Sequence, residues 1–200
     1  MTPVTAPDDP QRNPRVRLRD VTILSDAWYT LKRVTYDFRR SDGTWSEQQR
    51  EVYDRGDGAT ILPRDETRDT VLLTRQFRMP AYLNGHPDGM LIETPAGLLD
   101  GDDAETAIRR EAEEETGYRV EGVVRIGEYF MSPGSVTERI AFFTGSYRAE
   151  ERVSQGGGVE GEGEDIEVLE VTLAEAIAMI DRGEIVDAKT VLLLRLAQFA

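Results

Sequence analysis

Glu111, Glu114 and Glu115 fall within the run RREAEEETG, residues 109–117, and their spacing decides what they can do together. On a helix, residues three and four apart share a side, so Glu111 projects beside both of the others. Three carboxylates on one turn repel one another unless a cation neutralises them, and hard divalent ions such as Mg²⁺ take oxygen ligands. The chemistry open to such a set is metal-assisted: water is activated and an anionic substrate is neutralised. Arg109 and Arg110 can hold the carboxylates in position through bidentate hydrogen bonds. The alternative is a solvated amphipathic helix whose core face is Ala104, Ala107, Ile108 and Ala112. Against it, Glu111 and Glu115 flank the Ile108/Ala112 stripe instead of opposing it.

The surrounding charge points the same way. The chain has 200 residues, enough for one ordinary domain, with 38 acids against 24 Lys and Arg and a net charge of -14. Residues 100–115 hold eight acids and two bases, and residues 160–170 hold six acids and no base, which is most of that excess. The sign disfavours nonspecific binding to nucleic-acid phosphates or anionic lipid. With no cysteine, a disulfide scaffold, a thiolate zinc site and a cysteine nucleophile are excluded, and a reducing cytoplasm is compatible. His86 is the one histidine, which excludes a histidine metal cluster; it reads as a loop residue without catalytic weight. No apolar run approaches the roughly 20 residues of a membrane helix. The start MTPVTAPDDPQRNP lacks the basic and apolar segments of a signal peptide, so a soluble cytoplasmic protein is expected.

The elements that must position the carboxylates can be read in outline. Asp103 is placed to cap a helix that runs to Thr116 and stops at Gly117. Residues 1–14, with four of the nine prolines, are expected to be a disordered tail. Strands are predicted at 16–24, 28–38 and 45–53, with Ser41-Asp42-Gly43 turning the last two into a small antiparallel sheet. Further strands are predicted at 59–62, 70–77, 90–93, 123–130, 140–147 and 166–171. A loop carries Pro80, Gly85, Pro87 and Gly89, Pro95-Ala96-Gly97 reads as a break, and MSPGSVTE forces a turn. Residues 156–165, with five glycines, are expected to form a mobile loop. Thr172 with Glu175 makes a capping box for a helix to Ile180, and a closing helix is predicted over 190–199. Strands and helices without regular βαβ alternation imply an α+β fold or a mixed-sheet α/β/α sandwich.

The string GLLDGDDAETAIRREAEEETGY, residues 97–118, resembles the Nudix box, G-x5-E-x7-R-E-U-x-E-E-x-G-U with U apolar, and matches it from Arg110 onward. Its first half departs: Gly97 stands one residue too close to Arg110, and Asp102 occupies the position of the first glutamate. The stretches REVYDRGDGAT, TRQFR, PAGLLD, MSPGSVTE, GGGVEGEGEDIEVLE and DAKTVLLL resemble one branch of that family, the GDP-mannose hydrolases, relatives of the ADP-ribose pyrophosphatases. The acidic glycine-rich loop is two residues longer here than the branch pattern, in its GEGED portion.

What the resemblance implies is a Nudix hydrolase domain over residues 55–200, an α/β/α sandwich with a mixed sheet. Before it, residues 15–54 would form an antiparallel sheet that is exchanged across a homodimer and completes the neighbour's substrate site. The implied reaction is hydrolysis of a nucleoside diphosphate sugar, GDP-mannose to GMP and mannose 1-phosphate, with ADP-ribose as the alternative substrate. Mg²⁺, or Mn²⁺, would serve as cofactor with two or three ions per site. The resemblance assigns metal to Glu111, Glu115, the backbone carbonyl of Ala96 and an acid among Glu160, Glu162 and Glu164, best aligned with Glu164. Glu114 would support that cluster or bind a further ion, and Arg110 belongs to the same catalytic set. Glu138 would contact substrate or water, with Glu162 and Glu164 competing as general base. Arg78 and Lys189 would reach phosphate or sugar, Ala96, Gly97 and Leu98 would line the substrate, and Arg50 with Glu51 would approach the ligand from the partner chain. Trp28 either stacks on the nucleobase or packs the sheet. A degenerate domain acting only as a sensor is the reading from another class; such proteins lose box glutamates, and here Arg110, Glu111, Glu114 and Glu115 persist.

Overall fold

The computed structural model describes residues 13–159, 161 and 163–199, so the expected tail lies outside the described residues up to position 12. The chain divides into two units. One holds the residues up to 56 together with 132–138, and the other holds 57–131 and 139–200.

The first unit is a sheet of three antiparallel strands in the order β1 (Val16–Asp26), β2 (Thr30–Arg39) and β3 (Trp45–Asp54). The turn between β2 and β3 is built as the sequence suggests. Gly43 adopts φ 87°, and the Asp42 carboxylate accepts the backbone N–H of Thr44 at 2.9 Å. Residues 27–29 form a bend, so β2 starts after Trp28 and not at it. The segment from the MSPGSVTE turn joins this unit through backbone bonds from Tyr53 N–H to the Ser135 carbonyl, 2.8 Å, and from Thr137 N–H to the Tyr53 carbonyl, 3.0 Å. Across the three strands only Asp37 is buried.

In the second unit, alternation in two neighbouring strands sets the layering. β4 (Gly58–Asp65) and β9 (Arg139–Ser146) pair in parallel, Ile61 opposite Phe143 and Thr60 opposite Phe142. Successive side chains point to opposite faces, so Ile61, Ala141 and Phe143 join one cluster while Leu62, Ile140 and Phe142 join another. The first face is covered by α2 (Ala104–Thr116) through Ile108 and Ala112. The second is covered by α3 (Leu173–Asp181) and α4 (Ala188–Gln198) through Leu173, Ile177, Leu193 and Leu194. Two apolar faces on one sheet require helices on both, which is the expected α/β/α sandwich. The sheet runs β10 (Glu167–Thr172), β5 (Thr70–Phe77), β4, β9, β8 (Glu121–Phe130), with β6 (Met90–Glu93) on β5 and β7 (Ala96–Leu98) on β4. It is mixed, since β4 and β9 are parallel and the remaining pairs antiparallel.

In the second unit, three elements depart further from the sequence reading. Residues 79–83 form a short helix, α1, whose Pro80 occupies the first turn where a missing N–H costs nothing. The break at Ala96-Gly97 is a strand, because β4 supplies the partner: Ala96 lies opposite Thr60. Helix α4 begins two residues early because Asp187, not a later residue, accepts the N–H of Thr190 at 3.0 Å.

Candidate active site

Helix α2 has the ends that its sequence specifies. The Asp103 carboxylate accepts the N–H groups of Glu105 and Thr106, both at 3.1 Å, and Gly117 closes the helix at φ 78°. Ile108, Ala112 and Glu115 are spaced along one buried side, and Glu115 is only 2% exposed. Burial pushes its carboxyl up to about 8. The Ala96 N–H, 3.2 Å away, opposes that rise and the neighbouring Glu164 and Glu111 carboxylates add to it. A carboxyl in this condition is a poor structural group and a strong candidate for meeting a cation.

Glu111 lies directly over Gly97: a Cβ built on that glycine would fall 2.2 Å from Cδ of Glu111 and 2.5 Å from its Oε2. Only a glycine admits the approach. Arg110 holds both neighbours, with Nη1 at 3.0 Å from Glu111 and 3.2 Å from Glu114. Arg109 does not share this task, contrary to expectation. Successive helical residues point about 100° apart, and Arg109 instead binds Glu105 at 2.8 Å and donates to the Val120 carbonyl at 2.7 Å.

The glycine-rich loop is tied down at its start, where a mobile loop was expected. Gly157 and Gly158 donate to the carbonyls of Glu115 and Glu114, at 2.9 and 3.1 Å, and so satisfy acceptors that a helix end leaves open. Glycine is needed for this contact: with φ 69°, a Cβ on Gly156 would sit 2.5 Å from the Thr116 carbonyl carbon. Beyond the tether, Glu164 accepts the N–H of Val159 at 3.0 Å. Glu160 and Glu162, the competing acids, lie outside the described residues.

β7 brings the third component. Behind Ala96 runs a buried chain of hydroxyls, with Thr60 2.8 Å from Thr94, Thr94 N–H donating to Thr190 at 2.7 Å, and Thr190 donating to Asp187 at 2.6 Å. The backbone at Ala96 is thereby fixed to the start of α4. Among the described residues no three acids converge on one point. Glu111 is turned to Arg110 and Glu164 to Val159. The donors nevertheless fit a hard divalent ion by type, being carboxylate oxygens whose mutual repulsion already raises Glu115.

Two family models match this chain: residues 54–194 match the NUDIX domain and residues 15–53 match the GDP-mannose pyrophosphatase NudK N-terminal domain. The chain belongs to the Nudix family. It is 58% identical over 172 residues to the GDP-mannose pyrophosphatase of Salmonella arizonae, covering 86% of this chain and 89% of that protein. The proteins of that name from Yersinia enterocolitica and Escherichia coli O1:K1 are 54% and 53% identical, over 88% and 89% of this chain and 91% and 92% of theirs. A crystal structure of an ADP compounds hydrolase superposes with a TM-score of 0.70, covering 94% of this chain and 95% of that one at 17% identity, which shows a shared fold. Nudix hydrolases generally need a divalent metal such as Mg²⁺.

Within the Nudix domain, Arg78 and Lys189 meet on a residue that the sequence reading passed over. Glu93, at the end of β6 and 3% exposed, takes Arg78 Nε at 2.7 Å and Nη2 at 3.1 Å, and also takes the Lys189 ammonium. Burial would raise this carboxyl, but Lys189 and Arg78 outweigh it and hold the group at about 2. The available signal was a carboxylate closing the apolar strand MLIE three residues before Ala96. Leu98 continues β7 opposite Gly58. In the first unit, Trp28 lies in the 27–29 bend, 83% exposed and edge-on to Tyr29. Arg50 donates to the Gln49 carbonyl at 2.7 Å, Glu51 faces Arg33 across the β2–β3 pair, and Glu138 pairs with Arg55 at 3.3 Å. No helix is long and apolar enough to cross a membrane, among the described residues.

Proposed function

We propose that this Nudix chain hydrolyses GDP-mannose to GMP and mannose 1-phosphate in a Mg²⁺-dependent reaction. The observation that carries the substrate is 53–58% identity, over most of the chain, to proteins named GDP-mannose pyrophosphatase. Glu111, Glu115, Glu164 and the carbonyl of Ala96 are the groups we assign to two or three ions, Mg²⁺ or Mn²⁺, with Glu114 in support. Bound there, the metal would neutralise the bridging phosphates and lower the pKa of a water.

The chain's own residues do the rest. Arg110 keeps Glu111 and Glu114 oriented, and Arg78 offers a cation to a phosphate. A carboxylate, Glu162 or Glu164, takes the proton of the attacking water, and Glu138 contacts substrate or that water. The water oxygen forms a bond to one phosphorus as the bond from that phosphorus to the bridging oxygen breaks, and the leaving phosphate carries the electron pair away. Glu115 and Glu138 also contact the substrate, with Ala96, Gly97 and Leu98 lining it and Lys189 near its phosphate or sugar.

Residues 15–54 form the arm of a homodimer in this reading, exchanged so that Trp28, Arg50 and Glu51 serve the neighbouring site, with Trp28 stacking on the base. In support, a three-stranded sheet that buries one side chain needs an apolar cover to persist. The enzyme acts in the cytoplasm, which its lack of cysteine suits. The test is a panel of nucleoside diphosphate compounds, ADP-ribose among them, incubated with purified protein and Mg²⁺. GMP from GDP-mannose is the expected product; intact GDP-mannose beside rapid loss of ADP-ribose would overturn the substrate and leave the family standing.

A further inference from the structure

The ion cluster at the end of β6 has a composition that packing a core does not require. Glu93 is almost fully buried and bears two cations, and Lys189 is shared with Asp187 at 3.0 Å. Desolvating such groups offsets most of the Coulombic gain, and apolar side chains of similar volume often serve a core as well or better. The two cations are also unequal. The Lys189 side chain is 10% exposed and is divided between Glu93 and Asp187, whereas Arg78 is 40% exposed. Both nitrogens on one edge of the Arg78 guanidinium, Nε and Nη2, are held by Glu93, and Nη1 donates to no described residue. A guanidinium gripped along one edge has its other edge aimed, because the group is planar and rigid.

The placement of this grip is equally specific. Glu93 stands three residues before Ala96, and the intervening Thr94 is bound through its N–H to Thr190 at the start of α4. Ala96 in turn donates to Glu115. Arg78, Glu93, Ala96 and Glu115 are therefore joined by one short, hydrogen-bonded stretch of backbone.

We propose that Glu93 is a positioning residue: it fixes Arg78, with Lys189 behind it, so that the remaining guanidinium edge meets a phosphate of the bound pyrophosphate. This rests on the hydrolase reading above, in which Arg78 faces the substrate. Glu93 itself touches neither substrate nor metal and acts through Arg78. Lys189 donates to Oε2, the same oxygen that accepts from Arg78 Nη2, which keeps Glu93 from rotating away.

A double-mutant cycle tests it, read in two ways: steady-state kinetics on GDP-mannose with Mg²⁺, and calorimetric affinity for inorganic pyrophosphate. Arg78→Ala and Glu93→Gln are each expected to lower kcat/KM and pyrophosphate affinity about tenfold or more, chiefly in KM, as for loss of a charge-assisted phosphate contact. On the Arg78→Ala background, Glu93→Gln should add less than about twofold, because its effect runs through the missing side chain. Glu93→Asp keeps the charge but withdraws it by one methylene, and it should reproduce the loss. If Glu93→Gln does not fold, Glu93→Asp is carried through the same cycle on both backgrounds, with Lys189 left in place. Equal losses on both backgrounds would overturn the proposal, as would pyrophosphate affinity unchanged by Arg78→Ala. If the expected pattern appears in pyrophosphate binding while GDP-mannose stays intact, the substrate reading falls and the positioning role stands.

Discussion

Replacing Glu115 by Gln separates a metal ligand from a structural residue through the sign of its effect on stability. The carboxyl sits at about 8 in the folded chain against an ordinary value of 4.5, because burial disfavours its charge. A folded value above the unfolded one means that stability is fully present below pH 4.5 and is lost as pH rises toward 8. At about 1.4 kcal/mol per pH unit, the interval from 4.5 to 7 amounts to on the order of 3 kcal/mol, and the loss at pH 5 is only about 1 kcal/mol. Gln carries none of this. It is nearly isosteric and helix-compatible, and its side-chain oxygen can still accept the Ala96 N–H. In chelator, then, Glu115→Gln should be the more stable protein at pH 7 by about 3 kcal/mol, with a difference that shrinks toward pH 5. Turnover with Mg²⁺ should fall at least about a hundredfold, the upper scale for a group acting directly at a metal site. The assay is urea unfolding followed by circular dichroism, since both tryptophans, Trp28 and Trp45, belong to the first unit and do not report on α2. Parallel pH profiles for the two proteins, or a mutant that is less stable at pH 7, would refute the reasoning and return the helix to the status of a solvated face.

Gly97→Ala drives a methyl into the Glu111 carboxyl, which is the end of a flexible side chain; thermal unfolding should shift by no more than about 1 kcal/mol while Mg²⁺-dependent turnover drops about tenfold or more. Gly156→Ala meets backbone instead, at a positive φ, and should destabilise the fold by more than about 1 kcal/mol in the same assay. Glu93, held at about 2 against an ordinary value of 4.5, contributes stability that is present above pH 4.5 and is lost as pH falls toward 2; acid titration of Glu93→Gln should lack that component. Light scattering at micromolar concentration should report a dimer, and a monomer there would count against the exchanged arm.

How far the sequence could be read depends on whether each feature is local. Both ends of α2 were legible, since Asp103 and Gly117 act on their own immediate backbone. The mixed sandwich was legible from the irregular order of strands and helices, but which face each residue of β4 and β9 takes was not, since their apolar residues run consecutively and both faces are covered. α1 escaped because five residues are too few to show a helical period. β7 escaped because Ala96 is extended only through its pairing with Thr60, 36 positions earlier in the chain. Glu93 was missed for a similar reason: its two cations come from 15 positions before it and 96 after it. The run RREAEEETG gave the carboxylates but not the division of labour between Arg109 and Arg110, which turns on the Val120 carbonyl beyond the helix. The loop's anchorage was invisible in principle, since it is made by backbone N–H groups that no side chain announces.

That anchorage bears on how such chains tolerate changes in length. Gly157 donates to the end of α2, and its own carbonyl accepts the N–H of Ile166 at 3.2 Å where the chain returns toward β10. Residues 158–165 are therefore an excursion whose two ends are pinned at one point. The two residues by which the GEGED portion exceeds the branch pattern fall inside the excursion. Lengthening a closed loop from six to eight residues costs only about 0.3 kcal/mol in chain entropy. Insertions between Gly158 and Asp165 thus leave the turn of helix bearing Glu114 and Glu115 with its cap. A stretch of chain there can be rewritten without disturbing the helix end.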